Sequence, residues 1–329
     1  MNTNKKRVLT TEALAPAGRQ LLRERDDIEF VDFNHMLTGS KFQDLLREHA
    51  PVHGLVLGAT RITEAELDAA QELMVAARIG VGFDAIDVPA LSERNIPVMI
   101  AAEANSPSVA EQALYMMLML AKRGRELDKL VRENRWADRL QVVPFDLLGK
   151  NVLIIGFGRI GTRTAKRCNA MEMNVEVYDP YKSDADIVGA DCTPVGDLDE
   201  AVAAADFITI HCPKTSETLG MFDATRLGRM KPTSYLVNTA RGGIVDEDAL
   251  HAALVSGAIA GAGLDVLALE PPDTTNPLLA VDNVVLAPHM AGVTREALDR
   301  MGLVAVRNIL SVFDGSPERD NMVNPEILD

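Results

Sequence analysis

Val152-Leu153-Ile154-Ile155 runs straight into Gly156-Phe157-Gly158-Arg159-Ile160-Gly161. An apolar strand that opens into three glycines at this spacing leaves few folds to a chain. The first glycine permits a sharp turn, the second lets backbone approach a pyrophosphate, and the third lets the next helix pack on the strand. The helix N-terminus then presents N–H groups and a positive dipole end to phosphate. Glycines also occur in ordinary turns, so context decides. The expected partner is an acidic residue about 20 positions on, ending the next strand, where it accepts hydrogen bonds from ribose and repels a 2′-phosphate. Asp179, after Val175-Glu176-Val177-Tyr178, fills that position. The pattern predicts a dinucleotide site built on Gly156, Gly158, Gly161 and Asp179, with NAD favoured over NADP.

The turn belongs to a longer series. Further apolar runs lie at 207–210, 235–237, 261–264 and 284–286, with helical spacers between most of them. Six strands in such a series predict a doubly wound parallel sheet of the Rossmann type. An earlier series of runs lies at 8–9, 28–31, 54–57, 74–77 and 97–100, with helix-like stretches at 12–23 and 63–73. Residues 101–107 interrupt it, and 108–123 read as a long apolar helix. Helical periodicity returns at 294–313. A chain of 329 residues exceeds what one core usually serves, so two α/β domains are expected.

Composition narrows the function classes. Apolar residues make up 47% and charged residues 25%, as in an ordinary globular protein, and the formal net charge is −15. Nucleic acid and anionic membrane need a basic footprint that this balance does not supply. Cys168, Cys192 and Cys212 show no CxxC or metal spacing, which fits reduced thiols in a cytoplasm and no bound metal. The start, 1–7, is polar and basic, and the next residues read as strand and helix rather than a signal segment. The most apolar stretch, 113–121, is far shorter than the roughly 20 residues of a membrane span. It reads as a helix buried in a core or subunit interface.

A nicotinamide that exchanges hydride with a 2-oxo acid needs helpers. A bidentate cation suits the carboxylate, and a general acid with a near-neutral pKa suits the carbonyl oxygen. Open parallel sheets place ligands at the carboxyl ends of their strands. Arg241 stands there in Asn238-Thr239-Ala240-Arg241-Gly242-Gly243, and His289 in Ala287-Pro288-His289-Met290. Glu270 comes after Gly263-Leu264-Asp265-Val266 and precedes Pro271-Pro272. Taken singly, each residue is unremarkable.

Together with Gly80-Val81-Gly82-Phe83-Asp84 and His211-Cys212-Pro213, these segments resemble the D-2-hydroxy-acid dehydrogenase family, in its order and over nearly the whole chain. The resemblance implies that His289 is the acid/base group, that Glu270 orients its imidazole, and that Arg241 grips the substrate carboxylate. It implies that backbone N–H groups of Gly80, Val81 and Gly82 share that carboxylate. Asp265 would bind the nicotinamide carboxamide, and Arg159, Ile160, Cys212, Thr239 and Ala240 would supply further cofactor contacts. The family also implies a discontinuous, flavodoxin-like substrate domain, here 1–105 with 294–329, around an NAD-binding domain at 106–293. It further implies a homodimer formed through the long helix and the loop before the glycine turn, here 108–150, which contains Trp136.

Two departures bear on substrate. Phosphoglycerate-type members carry an arginine after the third strand, in a stretch like Val-Arg-Ser-Ala-Thr-Lys. The corresponding segment is Val56-Leu57-Gly58-Ala59-Thr60-Arg61, with Leu57 at the arginine position. Formate dehydrogenases of the superfamily carry glutamine where this chain has Glu270, which argues against formate. The expected substrate is a small unphosphorylated acid such as glyoxylate or hydroxypyruvate. A short-type D-3-phosphoglycerate dehydrogenase is one alternative. An NAD(H)-sensing, corepressor-like binding protein is another.

Overall fold

The computed structural model describes residues 5–329; the polar first residues 1–4, part of the basic start, lie outside the described residues. The chain divides into two compact units, Met1–Asn105 with Gly292–Asp329, and Ser106–Ala291.

Among the described residues, the first unit has five parallel strands: β1 (Lys6–Thr11), β2 (Ile28–Phe33), β3 (Gly54–Leu57), β4 (Val75–Arg78) and β5 (Val98–Met99). Their order is β2-β1-β3-β4-β5, the flavodoxin-like winding. One face buries Val8, Leu22, Val56 and Val75 with Ala305, Val306 and Ile309 of the helix Arg295–Phe313. Those apolar positions on the last helix recur at helical spacing, which is why a C-terminal helix completes an N-terminal sheet. Thr294 starts it by accepting from the Ala297 amide at 3.1 Å. The opposite face buries Leu9, Phe42, Leu46, Leu55 and Leu91.

The second unit has seven parallel strands: β6 (Asn151–Ile155), β7 (Asn174–Tyr178), β8 (Thr193–Pro194), β9 (Phe207–Ile210), β10 (Tyr235–Asn238), β11 (Gly261–Leu264) and β12 (Val284–Leu286). The order β12-β11-β10-β9-β6-β7-β8 reverses at β6, so the glycine turn leaves the sheet where the two windings part. The apolar helix Ser106–Ala121 is buried against this sheet through Ala113, Met116, Met117 and Leu120.

Several boundaries differ from the sequence reading, mostly around proline. The first helix runs Pro16–Arg23 rather than from Glu12, with proline in its opening turn, where a missing N–H costs nothing. The long helix begins at Ser106 and takes Pro107 into its first turn, a place that reads as a break in the sequence. The short edge strand β8 has no apolar run to announce it; its Pro194 is tolerated at a sheet edge.

Candidate active site

All seven strands of the second unit point the same way, so β6, β7, β9, β10, β11 and β12 release their loops at one edge of the sheet. The sequence candidates of this unit lie in those loops. At the centre, Gly156 has φ +91°, and a Cβ there would lie 2.7 Å from the Cys212 amide nitrogen. A Cβ on Gly161 would lie 2.0 Å from the Gly156 carbonyl oxygen. Neither position admits a side chain. Gly158 differs: a Cβ there meets nothing within 4 Å, so this backbone faces open space. No side chain caps the next helix, Arg159–Ala170, the arrangement that receives an anion.

Asp179 ties this turn to the next loop. One carboxylate oxygen accepts the Phe157 amide at 2.7 Å, and the other accepts the Tyr181 amide at 2.9 Å. Each oxygen keeps a further lone pair for a ribose hydroxyl. Arg159 and Ile160 open the helix, and Cys212 lines the turn with its backbone. The Cys212 thiol is pushed up to about 11 by burial, so it stays protonated and unreactive. Thr239 and Ala240 come directly after β10. The Thr239 hydroxyl is buried and has no protein partner, an orphan that a bound ligand or water can satisfy. Glycine cradle, open amides, acidic residue and orphan hydroxyl together fit a dinucleotide.

The loops after β10, β11 and β12 hold the other candidates. The Asn238 side chain braces the Arg241 turn, accepting the Ala240 amide at 3.0 Å and donating to the Arg241 carbonyl at 2.9 Å. Gly242 packs so tightly on Leu267 that a Cβ would lie 1.9 Å from its carbonyl oxygen. The Arg241 loop is thereby seated on the Glu270 loop. Glu270 uses one oxygen to accept the Leu267 amide at 3.0 Å and the other to contact His289 Nδ1 at 2.6 Å. With Nδ1 engaged, Nε2 is the nitrogen left to exchange a proton with a ligand. Beside the pair lies a cavity of about 460 Å³, with walls that include Leu267, Pro271, Leu279 and Leu286.

Asp265 has a task that the sequence does not suggest. Its carboxylate is buried, and its two oxygens accept the amides of Met290 and Ala291, each at 2.9 Å. Its carbonyl accepts the His289 amide at 2.7 Å. His289 has φ +55°, a backbone state that a non-glycine residue holds only when its surroundings impose it. Asp265 is the group that imposes it.

Further groups also escape a reading of the sequence. His211 contacts the Thr209 hydroxyl at 3.0 Å through Nε2 and buries an Nδ1 without a protein partner. Burial pushes its imidazole down to about 3, so it is neutral near pH 7. Tyr181 donates its hydroxyl to Glu217 at 2.6 Å. No spacing rule pairs residues so far apart; sheet order does. In the first unit, Gly80, Val81 and Gly82 come after β4, and Arg78 Nε donates to the Gly82 carbonyl at 2.7 Å. Among the described residues no helix is long and apolar enough to cross a membrane, and no cluster of three or more His, Cys, Asp or Glu could hold a metal.

Comparison with known proteins gives the context. Residues 114–291 match the family described as D-isomer specific 2-hydroxyacid dehydrogenase, NAD binding domain. The D-3-phosphoglycerate dehydrogenase of Archaeoglobus fulgidus is 40% identical over 293 residues, which cover 88% of this chain and 55% of that protein. The chain thus spans little more than half the length of that relative. The hydroxypyruvate reductase of Thermotoga maritima is 36% identical over 308 residues, 92% of this chain and 97% of that one. Among solved structures, the D-lactate dehydrogenase of Aquifex aeolicus, complexed with NAD and lactic acid, superposes with a TM-score of 0.84. It is 28% identical, and the match covers 96% of this chain and 98% of that one.

Proposed function

The chain belongs to the D-isomer specific 2-hydroxyacid dehydrogenase family, and from that premise we propose that it interconverts a small 2-oxo acid and its D-2-hydroxy acid with NAD. The observation that carries this reading is the 2.6 Å His289–Glu270 pair. It lies at the same sheet edge as Arg241 and the glycine turn, so an acid/base group, an anion-binding cation and a dinucleotide cradle share one edge.

Gly156, Gly158, Arg159, Ile160, Gly161 and Asp179 hold the cofactor's pyrophosphate and adenosine, and Cys212, Thr239 and Ala240 line its further course. NAD, when bound, supplies the hydride acceptor and its reduced form the donor. Glu270 fixes the imidazole through Nδ1, so His289 Nε2 moves the proton at the substrate oxygen. Arg241 offers paired N–H donors to the carboxylate. Gly80, Val81 and Gly82 contribute backbone donors of the first unit to the same class of ligand. Asp179 disfavours a 2′-phosphate by charge. Replacing it with alanine is expected to improve NADPH use relative to NADH by roughly tenfold; unchanged discrimination would take Asp179 out of that role.

Glyoxylate or hydroxypyruvate is the substrate we favour, because Leu57 is a buried strand residue where phosphoglycerate-type members carry arginine. One observation favours the phosphorylated alternative. Leu57 pairs in register with Arg78, which puts a cation on the neighbouring strand, beside Gly80–Gly82. The test is NADH oxidation measured against glyoxylate, hydroxypyruvate and phosphohydroxypyruvate. Preference for the phosphorylated acid, lost in Arg78→Ala, would decide for the alternative. NADH binding without turnover of any 2-oxo acid would leave a dinucleotide-sensing protein.

We place the enzyme in the cytoplasm, consistent with three free cysteines. A homodimer is the assembly we favour, since Trp136, Leu140, Val143 and Leu148 put an apolar surface in solvent.

A further inference from the structure

The sheet order sets β6 between β7 and β9, so the glycine turn is flanked by the loops that leave those two strands. Tyr181 belongs to one flanking loop and Glu217 to the other. Their 2.6 Å hydrogen bond therefore passes across the carboxyl end of β6, from one side of the glycine turn to the other. The ring itself stands in solvent, with Tyr181 78% exposed, so this bond is what directs the phenol toward Glu217. Both anchors are fixed. The Tyr181 amide is bonded to Asp179, which also holds the Phe157 amide in the turn. Glu217 sits in a compact turn: its amide donates to the Thr215 hydroxyl at 3.2 Å, and the Thr218 hydroxyl donates to the Pro213 carbonyl at 2.7 Å.

A dinucleotide held on the glycine turn, with its adenosine toward Asp179, would run between the two loops that this bond joins. We propose that Tyr181 and Glu217 form a strap over the adenosine end of the groove, which must open each time the dinucleotide enters or leaves. The proposal rests on the dinucleotide reading above and assigns to these residues a control of exchange rather than of chemistry. On this proposal the bond closes over the filled groove as it does over the empty one. Its removal therefore speeds both directions and leaves the equilibrium nearly where it was.

Rapid mixing with NADH, followed by its fluorescence, separates the two rates. Tyr181→Phe keeps the ring and removes the bond; its association and dissociation rates should both rise about fivefold, the scale of one exposed, charge-assisted hydrogen bond, with Kd changed less than twofold. Glu217→Ala should match it, and the double variant should be no faster than either single one. Glu217→Gln keeps an acceptor oxygen but loses its charge, and its rates should fall between those of the wild type and Glu217→Ala. Unchanged rates in Tyr181→Phe would overturn the strap. So would a rise in dissociation alone with a matching loss of affinity, which would make these residues ordinary contacts of the cofactor. Additive effects in the double variant would also count against it. Failure of the wild type to bind NADH at all is a separate result: it removes the dinucleotide reading itself, and the strap with it.

Discussion

The two units share a parallel plan, of five and seven strands, and contrast most at one turn. Each is a parallel sheet whose first strand lies inside the sheet, β1 between β2 and β3, and β6 between β9 and β7. Each sends that strand into a crossover helix. In the second unit the connection is glycine, and backbone at Gly158 faces open space. In the first unit the connection is filled by its own chain. The Leu14 amide donates to the Thr11 carbonyl at 2.9 Å, and the Leu14 side chain is buried. Arg19 folds back onto the carbonyls of Leu14 and Glu12, each at 3.0 Å. The parallel fold thus supplies a helix N-terminus at both places, and side chains decide which one receives a ligand.

The contrast can be broken most sharply at the glycines. Gly161→Ala drives a methyl into the Gly156 carbonyl and should weaken NADH binding by roughly 100-fold or more, about 2.7 kcal/mol. Gly18→Ala crowds the Gly302 carbonyl, 2.8 Å away, within the first unit. It should lower the unfolding midpoint and leave NADH affinity within about twofold. Fluorescence titration and urea denaturation of both variants check the pair. Equal losses of NADH affinity would erase the distinction between the two turns.

A similar loss, but in turnover, is expected at the carboxyl edge of the second unit's sheet. His289→Ala should lower kcat by roughly 100-fold while NADH binding stays intact. A variant with normal kcat would move the acid/base role elsewhere. A smaller effect tests the clamp beneath it. Asp265→Asn loses one of two acceptor oxygens for the Met290 and Ala291 amides, and His289 should drift from its place. We expect kcat to fall roughly tenfold with NADH affinity held within about twofold. Weaker NADH binding with normal kcat would assign Asp265 to the carboxamide instead.

A last contrast concerns acid. His211 is held below its ordinary 6.5, at about 3, by burial in the second unit. The unfolded chain therefore takes up a proton that the folded one refuses. Well above pH 6.5 both are neutral and nothing is lost; as pH falls through 6.5 toward about 3, folded stability declines, by at most about 1.4 kcal/mol per pH unit. Hydrogen exchange at pH 5 against pH 7 should show the second unit losing protection, and His211→Gln should flatten that loss. Equal sensitivity in the variant would clear His211.

Local pattern makes most of the strands legible. Val152-Leu153-Ile154-Ile155 is apolar and largely β-branched, and such runs bounded by glycine have one common fate. The differences cluster at Pro16 and Pro107, since proline reads as a break yet fits the first turn of a helix. β8 escapes notice because an edge strand of two residues carries no periodicity. The site is legible as residue types: Arg241, Glu270 and His289 are the parts that the chemistry asks for. Their supports are not. The Gly242–Leu267 contact, the Asp265 clamp and the Tyr181–Glu217 bond each join loops that lie apart in the chain.

By itself, then, the sequence determined that two parallel α/β units would form, that the glycine turn would open one helix, and that Asp179 would end the next strand. Those features depend on side-chain size, apolar periodicity and backbone freedom within a few residues of each other. Only the tertiary structure decided that β6 lies between β7 and β9 and that β10, β11 and β12 continue outward from β9. Strand order comes from the packing of whole helices on whole sheets. It is that packing which brings the His289 loop onto Asp265 and carries Tyr181 across the glycine turn to Glu217.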